Sequence, residues 1–314
     1  MELGDRLAGA VWGHLVGDAM GVPYEFMDAA DIVSVQFGAK GTYGQPPGTW
    51  SDDGALMLAL LDSLIRPLEA TDSGFDTEDQ GRRFLAWADE GAYTPDGDGR
   101  FDIGIATAAA LHRLRSGVPA ESAGGRGERD NGNGSLMRIL PVALVGQHAD
   151  NATLVDRAHR SSAITHGHLL SQVVCALYVL VARRLLEGSS PPEALTTSLA
   201  GLRHEYRQRP DSAARTEHLT AVEAWTRRSG SGYVVDAFWS AWDAFDGAAT
   251  YRETIERAVR YGTDTDTTAA IAGGLAGIHF GLSGIPSEWL DGMRGRPIVD
   301  PLIGRLTDGA LPPW

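Results

Sequence analysis

Cysteine and lysine are almost absent from this chain: its 314 residues contain one of each, Cys175 and Lys40. A single cysteine closes no internal disulfide and builds no cysteine-based zinc site, so a disulfide scaffold and a zinc finger are both excluded. Cys175 lies inside the apolar run Val173 to Val181 and reads as a small buried hydrophobe. Positive charge is also scarce: 27 Lys and Arg face 41 Asp and Glu, a formal net charge of −14. That deficit excludes general nucleic-acid binding, which needs a surplus of cations to neutralise phosphates. One anionic small ligand is still admissible, because helix N-termini and bound divalent ions supply local positive potential. No apolar stretch reaches the roughly 18 uninterrupted residues of a membrane span. Leu169 to Leu186 and Thr268 to Gly281 come nearest, and polar residues or length disqualify them. The start, Met1-Glu2-Leu3-Gly4-Asp5, is acidic and has no basic n-region of a signal peptide. A cytoplasmic protein that meets no membrane is the expectation.

Alternating strand patterns are equally rare, with Ile32 to Phe37 the one short candidate. Apolar residues instead recur at three- and four-residue spacing. This predicts helices over Leu3 to Leu15, Ala55 to Ile65, Gly81 to Ala88, Thr107 to Leu114 and Leu136 to Val145. Further helices are predicted over Leu169 to Leu186, Pro192 to Leu202, His218 to Trp225, Val234 to Phe245, Tyr251 to Val259 and Thr268 to Phe280. Loops fall at Gly41 to Gly48, Tyr93 to Gly99, Gly117 to Gly134 and Gln208 to Ala213, and in a proline-rich tail over 285–314. None of these loops is a convincing linker, so the reading is one all-α domain over 1–314, with its core at about 7–284. Thr268 to Gly281 carries eight alanines and glycines, and each interior glycine costs about 1 kcal/mol in a helix. Close approach of a neighbouring helix accounts for them and makes this a central helix.

Two acidic clusters frame the chain, Ser51-Asp52-Asp53 and Asp264-Thr265-Asp266-Thr267. Each precedes an apolar helix, so each residue type is also an ordinary N-cap. Together they make an all-oxygen ligand set suited to Mg2+ or Mn2+ and unsuited to zinc. Asp18 falls within a helical apolar pattern and needs a partner, with support of a metal ligand as one role. Glu25 follows Pro23 on a loop between Tyr24 and Phe26, where a carboxylate serves as a general base or a solvated surface group. Asn131-Gly132-Asn133-Gly134-Ser135 is a glycine-rich turn that opens into a predicted helix, a geometry that suits phosphate. It is no Walker loop, since no Gly-Lys-Ser/Thr follows. In Thr165-His166-Gly167-His168 the two histidines diverge, so a hydrogen bond to a ligand or a helix cap fits His166 better than a metal.

In this order the motifs resemble the ADP-ribosylglycohydrolase family, over about Leu7 to Gly284. The matching segments are Gly17-Asp18 through Glu25, Trp50 to Asp53, Asp102-Ile103-Gly104, Asn131 to Arg138 with Pro141, Thr165-His166, Ser231-Gly232-Tyr233 and Asp264 to Thr267. The resemblance implies a compact orthogonal bundle of helices holding two Mg2+ or Mn2+ ions. By position, Ser51, Asp52, Asp53, Asp264, Asp266 and Thr267 would be metal ligands, with Glu25, Asp53 and Asp266 serving the chemistry. Asn133, Gly134 and Ser135 would line the diphosphate of ADP-ribose. Gly104, His166, Ser231, Gly232 and Tyr233 would contact the nucleotide. The implied reaction is hydrolysis at C1″ of an ADP-ribosylated protein, small molecule or nucleobase, releasing ADP-ribose, by a monomer. A metal-dependent nucleotide phosphohydrolase and a non-catalytic ADP-ribose binder or crystallin-like protein are the rivals. Two departures stand out: Gly54 replaces a threonine of the usual Thr-Asp-Asp-Thr, and Thr263 replaces the second glycine of Gly-Gly-Asp.

Overall fold

Helical periodicity is realised as fifteen α-helices in a computed structural model, which describes all residues except 40, 41, 67–73, 98, 309, 310 and 313. Lys40, and Gly41 at the head of the first predicted loop, lie outside the described residues. The first five helices are α1 (Leu3–Gly21), α2 (Asp52–Leu64), α3 (Thr77–Glu90), α4 (Ile105–Arg115) and α5 (Ala120–Ala123). The middle of the chain forms α6 (Leu140–Val145), α7 (Asn151–Ala163), α8 (Leu169–Leu186), α9 (Pro191–Arg207) and α10 (Ser212–Glu223). Last come α11 (Val234–Phe245), α12 (Tyr251–Val259), α13 (Thr265–Phe280), α14 (Ser287–Gly292) and α15 (Arg296–Asp308). The result is a single all-α domain with no strand among the described residues, and Ile32 to Phe37 is irregular backbone.

Several segments differ from the periodicity, and the predicted loop Gly117 to Gly134 contains the short α5, which buries Ala120 and Ala123. The helix predicted from Leu136 starts only at Leu140, after a series of turns. Pro141 explains the delay: it has no N–H to donate to the carbonyl four residues back, and it is tolerated in the first turn of a helix. Hence the glycine-rich turn does not open directly into a helix. The amphipathic α7 escapes periodicity because its buried face is mostly small and polar, with Ala158, His159, Ser161, Ser162 and Ala163 beside Leu154 and Val155. The tail is not a loop. Pro286 caps α14 and Pro301 sits within α15, and both helices bury apolar side chains, including Trp289, Val299, Leu302 and Leu306. The core therefore extends well past residue 284.

α1 and α13 form the central antiparallel pair, and glycine spacing sets their contact. Gly9, Gly13, Gly17 and Gly21 repeat every fourth residue and so share one face of α1. A Cβ at Gly13 would lie 2.5 Å from the Gly273 carbonyl oxygen, and one at Gly17 would lie 2.1 Å from that of Ala269. At the end of the seam, Gly21 packs on the Asp266 backbone, where a Cβ would fall 2.3 Å from Cα. Only bare glycine admits this approach. The seam thus delivers the exit of α1, and Glu25 with it, to the N-terminus of α13.

Candidate active site

Backbone hydrogen bonds stitch the Glu25 loop to the start of α13. The Phe26 N–H donates to the Thr263 carbonyl (2.7 Å), and the Thr263 N–H donates to that of Met27 (2.8 Å). Thr265 Oγ1 donates to the Gly21 carbonyl at 2.8 Å. Thr263 adopts φ 62°, so the missing glycine leaves a left-handed backbone that now carries a branched side chain. Phe26 (φ 66°) and Asp102 (φ 49°) are left-handed too, and all three line the same cavity. Such strain is maintained where the surrounding structure over-determines it, commonly at functional sites.

The first acidic cluster is held from below. Ser51 caps α2, its Oγ accepting from the Asp53 N–H at 3.2 Å. Asp18 is the partner that helix N-terminus requires: its carboxylate accepts from the N–H groups of Ser51 (2.9 Å) and Gly54 (2.7 Å). Burial still outweighs those donors and pushes Asp18 up to about 7. Gly54 has a packing reason as well, since a Cβ there would come within 2.7 Å of Leu15 and the Trp50 ring. Trp50 is fixed by donation of its Nε1–H to the Tyr93 carbonyl at 2.9 Å.

The fold brings the two clusters together. Thr267 Oγ1 and Ser51 Oγ each lie 3.3 Å from Asp53 Oδ2. Asn133 Nδ2 donates to Asp264 Oδ2 at 2.8 Å, tying the glycine-rich turn to the second cluster. Carboxylate oxygens of Glu25, Asp102 and Asp266 all lie within 4.8 Å of one another. Asp102 is the acid that residue-level reasoning missed. The Asp102-Ile103-Gly104 segment was visible, but nothing in its spacing distinguishes this carboxylate from a loop aspartate.

Burial without cations makes this cluster costly. Asp53 and Asp266 are each 1% exposed, yet Asp53 Oδ1, Glu25 Oε2 and both oxygens of Asp266 accept no hydrogen bond. Desolvation, and then mutual repulsion, pushes Asp52, Asp53 and Asp266 well above the usual carboxylate range. Glu25 is pushed up to about 8 by the same causes, with Asp102 and then Asp264 the strongest repelling charges. Asp102 is raised too, by burial first and then by Asp264. Hydroxyl and carboxylate donors with orphaned oxygens fit hard divalent cations.

A cavity of about 410 Å3 opens above the acids. Glu25, Asp52, Asp53, Asp264 and Thr267 line it, while Ser51 and Asp266 stand immediately behind. Gly104, Asn133, Gly134, His166 and Gly232 also line it, with Asn133 against Asp264, joined by Thr107, Met137 and Arg129, which sequence reading did not single out. His166 is buried, with Nδ1 2.8 Å from Thr165 Oγ1. Burial and the Arg138 charge hold it down to about 3, so the ring is neutral. Arg138, itself fully buried, donates to the Gly134 carbonyl and braces the turn.

Three predicted substrate residues sit elsewhere. The Ser135 hydroxyl turns inward to Cys175 Sγ (3.4 Å) and to Ser162 Oγ (2.9 Å), because its turn packs on α8 rather than starting a helix. Ser231 Oγ is committed to Asp236 at 2.8 Å. Tyr233 is outside the cavity lining, its ring 5.3 Å from that of Trp225, although its backbone bridges Gly132.

The comparisons with known proteins agree with this geometry. A family model described as ADP-ribosylglycohydrolase matches residues 1–312. The chain is 29% identical to the ADP-ribosylarginine hydrolase Tri1 of Pseudomonas putida (strain GB-1), over 98% of this chain and 79% of that one. It is 30% identical to the ADP-ribosyl-[dinitrogen reductase] glycohydrolase of Rhodospirillum rubrum, over 98% and 96% of the two chains. A solved structure titled "ADP-ribosylglycohydrolase-related protein complex" superposes with a TM-score of 0.78 at 31% identity, over 98% of this chain and 99% of that one. A whole-length match, a shared fold and an acidic cavity at the seam of α1 and α13 lead to one assignment: the chain belongs to the ADP-ribosylglycohydrolase family and is a glycosidic-bond hydrolase of ADP-ribosylated substrates.

Proposed function

We propose that this protein hydrolyses the C1″ bond between ADP-ribose and an arginine side chain, using two divalent cations, Mg2+ or Mn2+. The observation that carries the metal requirement is the set of buried carboxylate oxygens on Asp53, Asp266 and Glu25 that no donor satisfies. Ser51, Asp52, Asp53, Asp264, Asp266 and Thr267 would hold the ions. When bound, they would supply Lewis acidity and fix the ribose at the scissile carbon.

The chain's own residues account for the rest. Asn133, Gly134 and neutral His166 bind and orient the diphosphate and its ribose from the cavity lining beside the acids. Glu25, which lines the cavity, moves the proton at Oε2, a buried oxygen without a hydrogen-bond partner. The bond breaks through a transition state with oxocarbenium character at C1″, which the surrounding carboxylates stabilise electrostatically. An arginine acceptor is supported by the rim. Tyr43 sits edge-on to Phe26 (centroids 6.4 Å) and tilted against Phe101 (5.5 Å), and its hydroxyl donates to Asp102 Oδ1 at 3.3 Å. Aromatic faces beside a carboxylate suit a planar guanidinium. The names of the Pseudomonas and Rhodospirillum relatives point to related substrates.

The test is turnover of ADP-ribosyl-arginine and ADP-ribosyl-serine peptides with Mg2+, with Mn2+ and with EDTA. Metal-dependent release of ADP-ribose from the arginine conjugate is the expected result. Turnover of the serine conjugate alone would overturn the acceptor, and release of AMP would replace glycosidic cleavage by pyrophosphate cleavage.

A further inference from the structure

A second cavity, of about 610 Å3, lies behind the segment that carries His166. The Gly167 N–H donates to the Gly125 carbonyl at 2.8 Å, and His166 forms an isolated bridge with Gly125. Residues 124–126 and 166–168 are therefore one wall with two sides. His166 faces the acidic cavity, whereas Arg126 and His168 face the second.

The chemistry inverts across that wall. Four arginines converge on the second cavity (Arg126, Arg160, Arg209 and Arg215) against three carboxylates, in a chain that is otherwise strongly acidic. Those carboxylates are already engaged. Arg160 pairs with Glu121 at 2.9 Å and with Asp156 at 3.6 Å, and Arg215 pairs with Asp211 at 2.6 Å. Arg126 and Arg209 have no carboxylate partner among the described residues. Each guanidinium donates only to a main-chain oxygen, that of Glu121 at 3.3 Å and that of Ala152 at 3.4 Å. Arg215 is 9% exposed and held in place by His159, 3.2 Å away at Nδ1, so its fork is preorganised. The N-terminal end of α8, capped by His168, adds partial positive charge to the same wall.

We propose that this second cavity binds a small polyphosphate anion of the pyrophosphate class, held by Arg126, Arg209 and Arg215. Guanidinium forks match phosphate oxygens two at a time, and two uncompensated cations beside a third exceed what one carboxylate neutralises. The site is separate from the catalytic cavity and takes no part in the hydrolysis.

Inorganic pyrophosphate, titrated calorimetrically into the full-length protein in EDTA, tests it. Without divalent ions the acidic cavity repels the probe. Saturable binding is expected, weakened about tenfold or more by Arg209→Glu or Arg126→Glu, as loss of a charge-assisted contact implies. Asn133→Ala, in the catalytic cavity, should leave the affinity within about twofold. Should Arg209→Glu misfold, Arg209→Gln removes the charge with less disturbance. No binding at millimolar pyrophosphate, equal binding by the arginine variants, or loss in Asn133→Ala would each overturn the proposal.

Discussion

Asp236 and Asp266 are equally shielded from solvent, each 1% exposed, and live in opposite circumstances. Asp236, in α11, accepts from the N–H of Ser229 (3.1 Å) and of Ser231 (2.8 Å), and from both hydroxyls at 2.7 and 2.8 Å. Burial opposes its ionisation, but these four donors prevail and its pKa falls below the ordinary value. Asp266, at the start of α13, has no donor at either oxygen and faces Asp53, Asp264 and Glu25. Low solvent exposure alone therefore does not mark a ligand site; absence of donors is the distinguishing feature. One carboxylate is part of the scaffold, and it positions the Ser231-Gly232 wall. The other has the unsatisfied oxygens that the proposed cation would engage.

Replacement of each by asparagine should separate the two most sharply. If the proposed metal site is right, Asp266→Asn removes one of its ligands and is expected to lower turnover by about a thousandfold or more, several kcal/mol of transition-state stabilisation. Yet in EDTA the same change relieves repulsion among unpaired carboxylates, so the melting temperature should rise. A falling melting temperature would mean Asp266 is satisfied after all. Asp236→Asn should do the reverse, costing about 3 kcal/mol at neutral pH by leaving buried donors without an anionic acceptor. Because folding lowers the Asp236 pKa below 3.8, its contribution is present above that value and is lost as pH falls through the folded one. The gap between wild type and Asp236→Asn in denaturant melts should accordingly narrow in acid. A constant gap would assign the loss to packing.

Cation binding sharpens the contrast further. Mg2+ or Mn2+ at a hundred times its dissociation constant should add about 2.7 kcal/mol to the unfolding free energy. That gain should survive in Asp236→Asn and shrink in Asp266→Asn. Equal stabilisation of both variants would place the ion elsewhere.

Much of this site was legible in the sequence, for a physical reason. Carboxylates and hydroxyls in clusters denser than a helix cap needs pointed to one oxygen-rich site, and the two clusters do meet at Asp53 and Thr267. The seam was half legible: alanine and glycine in α13 announced a close neighbour, while the matching Gly9, Gly13, Gly17 and Gly21 in α1 were hidden among ordinary apolar periodicity. Ser135 and Ser231 show the limit. A motif gives a residue's neighbourhood, but which way a hydroxyl turns depends on partners such as Cys175 and Asp236 that lie far off in sequence or carry no motif of their own. Asp102 was illegible for a related reason, since its meeting with Tyr43 at 3.3 Å joins two loops that no periodicity relates. Prolines misled in the tail, where Pro286 and Pro301 accompany helices instead of ending them.

Tyr43 offers the finest test, because it gives the donor-poor cluster a donor from outside. Its phenol reaches Asp102 across solvent-exposed rim, and Phe26 and Phe101 flank the ring. Tyr43→Phe deletes that donor and keeps the aromatic face; Tyr43→Ala deletes both. If the rim serves to recognise a guanidinium, the face matters more than the hydroxyl. A cation–π contact at an exposed site is worth about 1 kcal/mol, so Tyr43→Ala should raise KM for the arginine conjugate about fivefold with kcat within about twofold. Tyr43→Phe should stay within about twofold on both. An equal loss in the two variants would shift the role to the hydroxyl and its hold on Asp102. A fall in kcat instead of a rise in KM would move Tyr43 from acceptor binding into support of the acids themselves.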